Sequence, residues 1–496
     1  MKRPATVAEL KKSGYRLRSV KDEIRENLVR RLKNHETVFP GIIGYDQTVI
    51  PQVQNALLAR HDFILLGLRG QAKTRLIRQM TALLDEYVPV IKGCPIHSDP
   101  LLPLSAQARK VLSDKGDQAG IEWLSRDQRF NEKLATPDVS VADLIGDIDP
   151  IKAMSQSLSF ADEEAIHYGI IPRTHRGIFA MNELPDLQPR IQVSLLNIME
   201  EKDIQIRGFP IRIPLDIVMV FTANPEDYTN RGNIITPLKD RIDAQVLTHY
   251  PASIEESISI TRQESWKERA GQRLRVPDYV ETMVAQIAVE ARHSEYVDQG
   301  SGISARMGIS LIETLHSAIE RRLLLTGEDA GAARPCDLYA CVPAVSGKIE
   351  LVFKGEQEGL STVSNYLVGK GIKEVFNIIC CPGYRPGSDR KISPDPFGKI
   401  ISWFESGNHL ELSGNSPHQE HLAALRKVPG LESMARDRFS PDDDMELSSA
   451  MEFILEGLSL HFLISKKTGP EGTRYIDSLQ DLMQSESPGQ EDASWY

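Results

Sequence analysis

The stretch GLRGQAKT at residues 67–74 keeps the spacing G-x-x-x-x-G-K-[ST] except at one position: Ala72 stands where the last glycine belongs. Such a loop surrounds phosphates with backbone N–H groups and sets a helix N-terminus behind them. Its lysine reaches the terminal phosphates and its hydroxyl serves Mg²⁺. Gly67 and Gly70 permit the turn, Arg69, Gln71, Ala72 and Arg75 complete the cradle, and Lys73 and Thr74 open the helix. A left-handed alanine at 72 would cost about 1–2 kcal/mol. The methyl group therefore predicts helical dihedrals there.

A phosphate loop that splits its nucleotide needs a second strand ending in acids. GIFAMNEL (177–184) runs through apolar residues to Asn182 and Glu183. The usual pair is Asp-Glu. Asn182 keeps an oxygen for a metal-bound water and loses a charge worth about 3 kcal/mol at ~5 Å and an effective dielectric of ~20. Glu183 stays available to orient water. FTANPEDY places Asn224 at another strand tip, within reach of water or phosphate. In ITPLKDRID, Pro237 suits a first helical turn, and Arg241 serves either a neighbouring subunit's site or a surface ion pair. Arg306, in SARMG, either touches phosphates across a cleft or lies on a helix surface.

These residues need a scaffold. FILL (63–66), VPVIKG (88–93), GIFAM (177–181), DIVMVFTAN (216–224) and QVLTHY (245–250) read as strands. The helix after GIFAM turns Ile191, Leu195, Ile198 and Met199 inward. Strand–helix alternation with continuous apolar strands predicts an α/β fold, a parallel sheet covered on both faces. The stretch from 94 to 176 is too long for a plain crossover and must hold an insertion. DIQIRGFPIRIP (203–214) reads as a hairpin. Residues 251–330 turn helical, with Met307, Leu311, Leu315 and Ile319 on one face and Ser304 as cap. KIELVF, KEVFNII and KIISWFESGNHLELS read as returning strands, a small α/β or α+β module.

The expected division is a basic helical segment at 1–36, a nucleotide domain at 37–250, a helical lid at 251–330, a module at 331–483 and a disordered acidic tail at 484–496. In the basic segment, Ile24, Leu28 and Leu32 form a narrow stripe that docks on the next domain. A net charge of −11 disfavours nonspecific nucleic-acid binding by the whole surface. No apolar run is long enough to span a membrane. Five cysteines without metal-site spacing point to a reducing, cytosolic compartment. Cys94, His97 and Asp99 lack zinc-site pairing. Arg173 and Arg176 face either a neighbour's nucleotide or solvent.

Taken together, GLRGQAKT, GIFAMNELPDLQPRIQVSLLNIMEE, IVMVFTANPED, ITPLKDRID and SARMG resemble the AAA+ ATPases, in the MoxR-like and magnesium-chelatase-ATPase-subunit branch, over about residues 37–330. The resemblance implies ATP and Mg²⁺ as cofactors. It implies phosphate and metal binding by Lys73 and Thr74, and a metal-side pair Asn182 and Glu183 with Glu183 as base. Asn224 would be the first sensor, Arg241 the finger and Arg306 the second sensor. Ile42, Ile43, Gly44 and Tyr45 would line the adenine pocket. It also implies a homo-oligomeric ring, a hexamer, and a separate partner carrying a von Willebrand factor A domain, since D-x-S-x-S is absent here. Three functions are compatible with these residues: an ATPase that remodels a partner, a nucleotide-gated scaffold with little turnover, and a transcriptional activator, for which no GAFTGA-type loop or helix-turn-helix is present.

Overall fold

The computed structural model describes residues 3–155, 162–206, 212–225, 233–269, 273–381, 383–384, 393–469 and 472–478. The chain divides into two compact units, 1–250 and 251–496.

The first unit is built on five parallel strands: β1 (Phe63–Leu66), β2 (Phe130–Leu134), β3 (Gly177–Asn182), β4 (Ile217–Ala223) and β5 (Ala244–Leu247). Their order across the sheet is β5-β1-β4-β3-β2. The three central strands are buried on both faces, which is why they read as unbroken apolar runs. Alternate residues feed two cores. Ile64, Phe179, Met219 and Phe221 pack with Ile191, Leu195 and Ile198 of the helix Pro189–Glu200. Leu65, Ile178, Val218 and Val220 pack with Leu76 and Ile77 behind the glycine loop, and with Ile24 and Leu28. Each such side chain contributes roughly 1.5–3 kcal/mol by leaving water. This is the parallel α/β sheet, followed by a helical region, that the sequence predicts.

One strand assignment is corrected. Tyr87–Ile91 does form a strand, but it pairs antiparallel with Ile121–Ser125 outside the main sheet. The second sheet strand is β2, FNEKL, half-exposed at the sheet edge and therefore polar in sequence. The insertion after β2 carries a short antiparallel pair, Gly146–Ile148 with Ile166–Tyr168. Asp203–Gln205 and Arg212–Pro214 pair as the expected hairpin, whose tip, with Gly208 and Pro210, lies outside the described residues.

The helix Val20–Lys33 is capped by Ser19, whose hydroxyl accepts from the Asp22 N–H. Acids stand in its first turn and bases in its last, as the helix dipole favours. Its stripe is buried at Val20, Ile24 and Leu28, while Leu32 is exposed.

In the second unit one core runs from Val280 to Tyr475, so residues expected in a lid and residues expected in a module share it. KEVFNII is not a strand. It ends the helix Leu360–Cys380. Gly369 and Gly371 look like breakers, but they serve close packing. A side chain at Gly371 would meet the backbone of Ile287, and one at Gly369 would press on Leu460. KIELVF holds no regular strand, and KIISWF is the helix Gly398–Glu405. Only Leu410–Leu412 of that region is a strand. It joins Gly472–Ile476 and Ser465–Gly469 in a small antiparallel sheet, making the region α+β. Met307, Leu311, Leu315 and Ile319 are buried along the helix Arg306–Thr326. Ala305 is its N-cap, and Ser304 Oγ accepts from the Arg306 N–H at 3.1 Å. The acidic tail 484–496 lies outside the described residues.

Candidate functional site

The C-terminal ends of β1, β3 and β4 bring the sequence motifs together. Lys73 opens the helix Lys73–Gln79 and is buried. Its ammonium donates to the carbonyls of Gly67 and Leu68 and, at 2.8 Å, to Oδ1 of Asn224. The loop lysine and the strand-tip asparagine, far apart in sequence, are direct partners.

Ala72 overturns the expectation drawn from its methyl group. Its dihedrals are φ 56° and ψ 15°, in the left-handed region. The loop therefore carries strain of about 1 kcal/mol that glycine would not. Surrounding contacts hold it. The Gln71 carbonyl accepts from the Tyr45 hydroxyl at 2.8 Å, and Gln71 Oε1 accepts from the Thr248 hydroxyl at 2.6 Å. Gly67 is required by this packing, because a Cβ there would collide with Thr248 Oγ1 and Gln71 Oε1. Gly70 has φ 72° and supplies a second left-handed turn. Thr74 and Arg75 are half-buried, and Arg69 is exposed with its carbonyl accepting from the Tyr250 hydroxyl at 3.2 Å.

Of the four residues proposed for an adenine pocket, Ile42 and Tyr45 are buried, and Ile43 and Gly44 half-buried. The Tyr45 hydroxyl lies 2.8 Å from the Gln71 carbonyl and 2.9 Å from that of His249. Burial pushes its pKa up to about 12, so it stays a proton donor. Its ring meets His249 edge-on with centroids 5.0 Å apart. His249, with Thr48 Oγ1 2.8 Å from its Nε2, was not singled out from the sequence, and a lone histidine after a strand gives no signal for it.

At the end of β3, Glu183 has φ 54° and ψ 51°, another left-handed residue. Its N–H donates to Thr222 Oγ1 at 3.0 Å, and that hydroxyl donates to Asn182 Oδ1 at 3.3 Å. Thr222 is fully buried and stands two residues before Asn224 on the same chain.

The arginines are placed differently. Arg241 ends the helix Thr236–Arg241 and pairs with Glu200, Nε to Oε2 at 2.8 Å, while Nη1 donates to the Pro237 carbonyl. Arg306 is exposed at the start of its helix in the second unit. Arg176 faces neither solvent nor a neighbour. It is buried, ion-paired with Asp99 at 3.0 Å, and bonded to the Tyr15 hydroxyl. Arg173 is exposed, with Nε donating to the Gly169 carbonyl. Among the described residues no three His, Cys, Asp or Glu side chains gather as a metal site, and no helix is long and apolar enough to cross a membrane. A cavity of about 690 Å³ between the insertion and the hairpin, lined in part by Asp147, Arg190 and Asp203, includes none of the loop residues. The site is thus defined by side-chain convergence and not by that cavity.

No protein-family model matches the chain. Among solved structures it is similar to one of a complex between subunits BchI and BchD of magnesium chelatase, at 18% identity over 64% of this chain and 98% of that one, with a TM-score of 0.35. It is similar to a candidate ATPase from Cytophaga hutchinsonii at 16% identity over 73% and 98%, TM-score 0.30. It is also similar to NtrX from Brucella abortus in complex with ADP, at 14% identity over 59% and 53%, TM-score 0.34. These overlaps are too low to transfer any residue's role.

Proposed function

We propose that the chain is an AAA+ ATPase of the MoxR-like and magnesium-chelatase-like kind, which forms a ring and couples ATP turnover to remodelling of a partner protein. One observation supports this most directly. Lys73, Asn224, Asn182 and Glu183 belong to three separate motifs, yet all stand at one end of the sheet: Lys73 bonds Asn224, and Thr222, two residues before Asn224, bonds Asn182 and the Glu183 N–H. A triphosphate in the loop would take over the Lys73 bonds now made to carbonyls. The lysine and the loop N–H groups would then hold its charge. Glu183 would accept the proton of the attacking water, and Asn224 would orient that water or the terminal phosphate.

The oxygens offered beside the phosphates, Thr74 Oγ1 and Asn182 Oδ1, suit a hard cation that keeps several waters. Mg²⁺ would neutralise phosphate charge when bound. With no acidic triad among the described residues, the site would take it up together with the nucleotide. Ile42, Ile43, Gly44 and Tyr45 would hold the base. Arg241 would leave Glu200 to reach an adjoining protomer's site in a hexamer, and Arg306 would serve as second sensor. A cytoplasmic location and a separate partner with a von Willebrand factor A domain complete the proposal.

Phosphate release by the purified chain tests it. Wild type should exceed Glu183→Gln and Lys73→Ala by about 100-fold or more. Turnover equal in all three, with and without partner, overturns it. Asn182 favours a second reading, a nucleotide-gated scaffold. In that case wild type would bind ATP, hydrolyse it no faster than Glu183→Gln, and hold partner equally well after Asn182→Asp.

A further inference from the structure

We infer that Thr222 is a positioning residue for the hydrolytic step, acting on both members of the Asn182–Glu183 pair. The inference rests on the ATPase reading above. The sequence marks Thr222 only as a β-branched residue in an apolar strand. The structure gives its hydroxyl two tasks.

The first concerns the backbone of Glu183. That residue leaves β3 in a left-handed conformation, which a side-chain-bearing residue keeps only when neighbours hold it. Asn182 is the last residue of β3, so the Glu183 N–H has no rung of the sheet to join. Thr222 Oγ1 accepts it at 3.0 Å. Without that acceptor the peptide is free to relax toward ordinary dihedrals and carry the carboxylate away from where it works.

The second concerns Asn182. The proton of the same hydroxyl goes to Asn182 Oδ1 at 3.3 Å. An aspartate would have two oxygens, one for Thr222 and one for a metal-bound water. Asparagine has one, and Thr222 fixes its direction while leaving one of its lone pairs to the site. The departure from Asp-Glu thus makes the chain more dependent on Thr222. Thr222 is 1% exposed and lies between two strands buried on both faces, so its hydroxyl has no solvent to bond instead.

The test uses the full-length chain with Thr222→Val, which keeps the shape and removes the hydroxyl, and Thr222→Ser, which keeps the hydroxyl. ATP turnover is measured with ATP affinity and thermal unfolding, beside wild type and Lys73→Ala. Expected is a fall in kcat of ten-fold or more for Thr222→Val, with KM for ATP within two-fold, and recovery of most of kcat in Thr222→Ser. A merely structural role would move both variants with their melting temperatures, or move KM and kcat together. Thr222→Val within two-fold of wild-type kcat overturns the inference and leaves the ATPase reading standing. Wild-type turnover no higher than Lys73→Ala overturns both.

Discussion

The two ends of the five-stranded sheet use their polar residues differently. At the C-terminal end, two side-chain-bearing residues, Ala72 and Glu183, are held left-handed, and the polar side chains gather around a lysine. At the N-terminal end a charged residue stands immediately before every strand: Asp62, Arg129, Arg176, Asp216 and Asp243. Four of these are gripped by one short N-terminal stretch. Lys21 pairs with Asp62 at 2.8 Å, and Glu23 with Arg129 through two bonds of 2.7 and 2.6 Å. The Tyr15 hydroxyl bonds Arg176, and the Val20 N–H donates to Asp216 at 2.8 Å. Asp243 closes the series by accepting from the Asp62 N–H. One end gathers polar side chains where chemistry is proposed, and the other ties the strands together with buried charge, including at its own left-handed residue, Arg176 with φ 61°. Local strain of this kind persists only where the surrounding structure over-determines it.

The largest effect expected from breaking the contrast is at Glu23. Arg129 is completely buried and Glu23 nearly so, and removing one partner strands the other charge. Glu23→Ala should cost about 3–5 kcal/mol in urea unfolding. A loss under ~1 kcal/mol would show that the collar does not hold the sheet.

The next effect is in pH. Burial, with the Arg176 charge second and His97 third, pushes His175 down to about 3, and its Nδ1 accepts from the Asp216 N–H. A histidine kept neutral in the fold contributes stability that is present above its unfolded pKa of ~6.5 and is lost as pH falls toward its folded value. Asp216 runs the other way. Burial pushes it up to about 6, against the Val20 N–H and Arg176, so its contribution is present below ~4 and is lost as pH rises through about 6. Between pH 4 and 6 the two oppose each other. Asp216→Asn should therefore leave a chain that gains stability with rising pH over this window, by on the order of 2 kcal/mol, and His175→Asn one that loses it. Unfolding curves at four or five pH values check both signs, and parallel curves for wild type and variants would refute them.

The smallest effect sharpens the other end. Ala72→Gly relieves the left-handed methyl, offset by the extra freedom glycine has when unfolded, and should stabilise by about 0.5–1 kcal/mol. A melting temperature lowered by this change would mean that the loop does not carry the strain assigned to it.

Much of this was legible in the chain. β1, β3 and β4 are visible because burial on both faces leaves little room for polar residues, and the loop lysine, Glu183 and Asn224 follow from their places at strand ends. β2 is hidden because FNEKL, an edge strand, is half polar. The dihedrals of Ala72 depart from the local expectation because the contacts of Tyr45, Gln71 and Thr248, which override it, are long-range. The helix Leu360–Cys380 was obscured by glycines whose purpose is the approach of Ile287 and Leu460. The collar residues each look like an ordinary polar strand boundary. Their meaning depends on residues 15–23, far away in sequence.

The Tyr45 hydroxyl has one proton and two carbonyls within reach, at Gln71 and at His249, the residue before the last of the first unit. The phosphate cradle and the point where the polypeptide departs toward Pro251 are thereby fastened to a single pin. Whatever rearranges Gln71 changes how that proton is apportioned between the two carbonyls.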